Sequence, residues 1–132
     1  MKAFILLSDA ASAHPDGTFS LLRAGITDVN IPQGQPLVFH GAFVARIVGT
    51  SGDAGAHALA IRVMTQDGKA VAPDVQGQFS IPDGGGATQV VANFNLLFPA
   101  HGRYTFWLSV DRNEADSWEV RVREPSPAKQ AP

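Results

Sequence analysis

The sequence contains no cysteine in 132 residues. A disulfide framework, a thiolate nucleophile and a thiolate metal site are therefore all excluded. Small secreted domains often rely on disulfides, so their absence points to a cytoplasmic protein. Charge is also scarce: Asp, Glu, Lys and Arg make up 17% of the chain, and the net charge is −2. A nucleic-acid-binding domain would carry a dense basic patch, and none is present. Long apolar runs are missing too. The longest falls far short of the roughly 18–20 residues that a membrane span needs.

Catalytic and metal-binding motifs are equally sparse. The four histidines are His14, His40, His57 and His101. None stands at an HxH or HxxxH spacing from another ligand type, so no metal site is expected. His14, His57 and His101 lie beside turns, where a solvated surface is the default. There is no G-x-S-x-G elbow for a nucleophilic serine. Asp111, Glu114 and Asp116 fall in one loop. Paired carboxylates can hydrolyse glycosides when held about 5–9 Å apart, but an acid-rich loop reads first as solvated. Gly84-Gly85-Gly86 lacks the lysine and helix that make a phosphate cradle. No cofactor is expected.

What the chain does have is β pattern throughout. Runs of Val, Ile, Phe and Leu recur between Gly, Pro and Asp clusters. They predict strands near 2–11, 17–28, 36–48, 57–66, 70–81, 88–98, 103–111 and 117–123. Asp67-Gly68 and Asp16-Gly17 mark tight turns, because glycine takes positive φ without steric cost. Residues 1–123 read as one domain. From Glu124 onward, "EPSPAKQAP" has no large apolar residue and predicts a disordered tail over 124–132.

The first residues, "MKAFILLSDAASAHPDG", admit two readings: a cleaved leader or the first strand. A leader needs an apolar stretch of about 7–15 residues. Here only Ala3 to Leu7 is unbroken, and Asp9 follows at once. The strand is the better reading.

Alternation assigns faces. Leu37, Phe39, Phe43 and Ile47 share one side of their strand; Val38, His40, Val44 and Arg46 share the other. Tyr104, Phe106, Leu108 and Val110 point in, and Arg103, Thr105, Trp107 and Ser109 point out. Trp118, Val120 and Val122 point in. Such alternation over many short strands predicts an all-β fold: a two-sheet antiparallel immunoglobulin-like sandwich of seven to nine strands. A closed barrel is the competitor. In "FPAHGRYTFWLSVD", Tyr104 follows the corner from Pro99 to Gly102. A tyrosine so placed turns its hydroxyl back to nearby backbone, a structural role.

"LLSDAA" (6–11), "DGTFSLLRAGITDV" (16–29), "IPQGQPLVF" (31–39), "IRVMTQDGKAV" (61–71) and "FPAHGRYTFWLSVD" (98–111) occur in an order and spacing of their own. Together they resemble a family of uncharacterised bacterial domains of about this length. The resemblance implies an immunoglobulin-like sandwich and retention of the first strand. It implies no activity. Thr18 stands where the family usually has lysine.

The best binding candidate is the outward face around Trp107, since an exposed tryptophan on a sheet is costly unless covered. By alternation, His40, Arg46, Arg62, Asn93 and Asn95 could flank it. Tryptophan and arginine are enriched at protein interfaces. The predicted function is a non-enzymatic interaction or scaffolding module, whose partner is a protein or a second copy in a homodimer. The alternative is a carbohydrate- or small-ligand-binding module using Trp107. A hydrolase comes third.

Overall fold

The structure is a computed structural model that describes residues 1–125. The tail expected over 124–132 lies outside the described residues apart from Glu124 and Pro125. Ten strands make up the described residues. They are β1 (Lys2–Ser8), β2 (Ala10–Ala13), β3 (Phe19–Leu22), β4 (Asp28–Asn30), β5 (Val38–Gly49), β6 (Gly55–Thr65), β7 (Val75–Ile81), β8 (Gly86–Leu97), β9 (Gly102–Val110) and β10 (Asn113–Arg123). A 3₁₀ turn at Ser51–Asp53 joins β5 to β6.

The strands form three sheets. One has the order β1-β5-β8, the second β4-β10-β9-β6-β7, and β2 pairs only with β3. The fold is all-β, and the expected count and pairing need correction. The described residues form ten strands rather than seven to nine, because two predicted strands break. Asp9 interrupts the run at 2–11. The run at 17–28 is broken where Arg23 and Gly25 take φ of 51° and 87°, a conformation that ends a strand. The pairing is not wholly antiparallel, since β4 runs parallel to β10 through Arg121↔Asp28 and Val122↔Val29. Asp28 sits between Arg121 and Arg123 at 3.2 and 3.5 Å, which pins this short strand.

The core lies between the three- and five-stranded sheets. Phe43 of β5 stacks on Phe94 of β8 at 4.3 Å and meets Phe106 of β9 edge-on at 5.1 Å. Leu7, Ile47, Leu108, Val120 and Val122 are buried around them. Each such side chain removed from water contributes roughly 1.5–3 kcal/mol. The alternation read for β9 places Tyr104, Phe106, Leu108 and Val110 in this core. Val44, expected outward, is instead buried. It lies on central strand β5, paired with Leu6 on one side and Val91 on the other, and flanking side chains on the outer face cover a central position.

Along one side the two large sheets meet without a ladder. Ile5 N–H of β1 donates to the Asp116 carboxylate of β10 at 2.9 Å. A register shift between Glu114 and Asp116 turns that carboxylate toward β1. Between β7 and β8, Gly85 N–H bonds Pro82 C=O. Gly85 has φ 82°, and a Cβ there would lie 2.8 Å from the backbone of Thr50. Gly85 is thus held tightly against the Thr50 turn, while Gly84 has open space around it.

Candidate functional site

Strands β6 and β9 carry the outer face of the five-stranded sheet. Trp107 on β9 lies across from Arg62 on β6 and from Ser117 on β10. It is half-buried, and its indole N–H has no hydrogen-bond partner among the described residues. The other tryptophan behaves differently: Trp118 packs on the core and donates its N–H to Ile26 C=O at 2.7 Å. Sequence alternation separated the two, because Trp107 and Trp118 lie on opposite faces of their strands.

An open depression of about 500 Å³ is lined in part by Arg62, Asp74, Gln76, Ser109, Arg112 and Glu114, and Trp107 is not among its lining residues. Arg62 reaches Asp74 through two nitrogens at 3.3–3.4 Å. This forked pairing orients the guanidinium on the strand position opposite Trp107. Both partners are partly exposed, so the pair contributes little to stability and mainly sets orientation.

The residues grouped by sequence do not all meet here. Trp107 and Arg62 share the outer face of the five-stranded sheet. His40 and Arg46 are on β5, and Asn93 and Asn95 on β8, all in the other large sheet. Their outer face lies on the far side of the core. There His40 pairs across the ladder with Asn95, and its Nδ1 contacts the Asn95 side-chain oxygen. Asp9, Asn93 and Asn95 border a shallow hollow beside it. The grouping failed because outward alternation names a face of a strand but not which sheet owns it.

Sequence reasoning missed one polar cluster. His57 on β6 donates from Nδ1 to the Asp111 carboxylate and from Nε2 to Asp53 C=O, each at 2.6 Å. Its ring stacks on Phe79, with centroids 5.4 Å apart. Both ring nitrogens face acceptors, so only the doubly protonated imidazolium satisfies both bonds. The Asp53 carbonyl first, then the Asp111 carboxylate, hold its pKa above the ordinary value. Ala58 N–H, then His57, hold the Asp111 carboxyl below the usual range. Asp111 and Arg112 form the two-residue turn between β9 and β10, with φ of 49° and 70°. That turn normally takes asparagine or glycine, and a bare Asp-Arg pair was the available signal. His57 and Asp111 lie 54 residues apart, so no spacing motif could link them.

The acid-rich segment is thereby allocated. Asp111 holds His57 and Ala58, Asp116 holds Ile5, and Glu114 is exposed. Among the described residues, no group of three or more His, Cys, Asp or Glu is placed to hold a metal ion. Tyr104 donates its hydroxyl to Ala100 C=O and accepts from Ala100 N–H at 3.3 Å. Gly102 beside it takes φ 155°, which lets the chain turn after Pro99. No helix among the described residues is long and apolar enough to cross a membrane.

The chain belongs to a family of unknown function, DUF6941, whose model matches residues 3–123. Comparison with curated proteins gives no match. Among solved structures it is similar to a candidate beta-galactosidase from Bacteroides fragilis, at 14% identity and a TM-score of 0.42. That likeness covers 66% of this chain and 14% of the other. At this level it assigns neither topology nor activity.

Proposed function

We propose that this domain is an immunoglobulin-like, non-enzymatic interaction module of the bacterial cytoplasm, holding a protein partner on the outer face around Trp107. One observation carries the reading. Trp107 offers a half-buried indole whose N–H has no partner among the described residues, on the strand position opposite Arg62, which pairs with Asp74. Such an aromatic–arginine pair suits the anchor of an interface. The immunoglobulin-like part is supported by the order β1-β5-β8 facing β10-β9-β6-β7 and by the Tyr104 corner, both features of Greek-key sandwiches. The cytoplasmic part rests on the absence of cysteine alone.

A small polar ligand in the depression lined by Arg62 is the second reading, favoured by Gln76, Ser109 and Arg112 on its walls. The amides once grouped with Trp107 no longer support it, since Asn93 and Asn95 lie on the other sheet. The test is affinity capture from the native host with wild-type and Trp107→Ala bait, alongside thermal melts. Loss of a specific protein partner with an unchanged melt supports the interaction reading. Retention of every captured partner by Trp107→Ala overturns it.

A further inference from the structure

The edges of this fold are not treated alike. On β1, Asp116 takes the Ile5 N–H, and Gly25 N–H bonds the Leu7 carbonyl. On β10, β4 covers residues Arg121 to Arg123. On β8, β2 approaches the strand but, among the described residues, no strand pairs with its outward edge. Its geometry follows from the pleat. Ile5 N–H points away from β5, so Phe4 and Leu6 make the ladder bonds to Arg46 and Val44. The alternate β5 residues, Phe43 and Ala45, then bond Ala92 and Val90 of β8. That leaves Gln89, Val91, Asn93 and Asn95 with N–H and C=O directed outward, away from β5. None of these backbone groups has a partner among the described residues.

Natural sheets blunt exposed edges with short strands, charges, prolines or bulges. β8 has none of these. It is 12 residues long, "GATQVVANFNLL", without a charge or proline. Its register with β5 runs unbroken from Gly49↔Gly86 to Val38↔Leu97. At its end Leu97 is 62% exposed beside Val38 at 38%. The edge of β7 on the other large sheet is shorter and contains Gly77.

We propose that β8 is the seam of a homodimer, pairing antiparallel with β8 of a second copy across a two-fold axis. The two three-stranded sheets would then join into one of six strands. A second copy fits because an uncharged strand meets itself without like-charge repulsion in any register, and a two-fold contact needs only one self-complementary surface. The pairing would supply partners to the outward backbone groups and cover Leu97. It stands apart from the Trp107 reading, which concerns the other sheet.

The test is mass by light scattering over a concentration series. Asn93→Pro removes an N–H that has no ladder bond to β5, so the monomer keeps its sheet while the seam loses a donor. Asn93→Lys, at an exposed position, puts a charge on the edge strand of each copy, which blunts edge-to-edge pairing. The wild type should have twice the monomer mass, both variants the monomer mass, and Trp107→Ala the dimer mass. Should Asn93→Pro fail to fold, folded Asn93→Lys decides. A monomeric wild type overturns the proposal, as does a folded Asn93→Lys that still dimerises. Loss of the dimer in Trp107→Ala with retention in Asn93→Lys moves the seam to the other sheet and overturns it as well.

Discussion

Replacing Tyr104 with phenylalanine isolates one oxygen atom. The ring is buried at 3% exposure and lies 4.5 Å from Phe98, and phenylalanine preserves that packing. What disappears is the hydroxyl, with its donation to Ala100 C=O and its acceptance from Ala100 N–H. A buried group left without its partner costs about 1–3 kcal/mol. Ala100 itself is exposed, so water can reach part of its backbone and the lower half of that range applies, about 1–2 kcal/mol. For 132 residues at about 2.1 cal/mol/K each, the unfolding entropy is about 280 cal/mol/K, so Tm should fall by about 4–7 °C. Urea unfolding should show a lower midpoint with an unchanged m-value, because the exposed surface is the same. A Tm within 1 °C, roughly the error of such a melt, would refute the corner as a stabilising device.

Two other perturbations probe the core and the missed histidine. Gly41→Ala should destabilise by about 1–3 kcal/mol through overpacking, because its Cβ would lie 2.8–2.9 Å from the rings of Phe39 and Phe94; a neutral denaturation midpoint would count against that packing. His57 has a folded pKa raised above its unfolded value of about 6.5. Its contribution is therefore fully present below that pH and fades as pH rises through the folded pKa. Stability measured upward from pH 6 should decline by this component, and His57→Gln should remove it; an NMR titration placing the His57 pKa at or below the ordinary value would refute the imidazolium.

Local chemistry was legible in the sequence where one strand or turn decided it. Asp67-Gly68 turns as read, with Gly68 N–H on Thr65 C=O. β9 alternates as read, since its inward residues are all large and its outward ones mostly polar. Breaks were less legible. Nothing in "SLLRAGITD" announces that Arg23 itself adopts positive φ, and Leu21 to Ile26 looks continuous to a period-2 reading. β10 begins four residues earlier than expected, at Asn113. Asp111 and Arg112 make a two-residue turn that glycine would have signalled and they did not.

Sheet membership was illegible for a deeper reason. Alternation is a property of one strand, whereas a site is a property of neighbours, and the order β1-β5-β8 against β4-β10-β9-β6-β7 joins residues far apart in sequence. His40 and Trp107 both point outward, yet from opposite sides of the core. The same argument explains His57. Its two acceptors come from a 3₁₀ turn four residues before it and a hairpin turn 54 residues after it. Only the pairing of β6 with β9, Leu59 opposite Val110, brings Asp111 within reach. A histidine beside a turn is solvated by default until a ladder sets a second turn against it, and here the ladder does so. The unpaired edge of β8 follows from the same topology: β5 occupies one side of the strand and, among the described residues, no strand pairs with the other. An uncharged sequence at that position carries meaning only once the strand is known to be an edge.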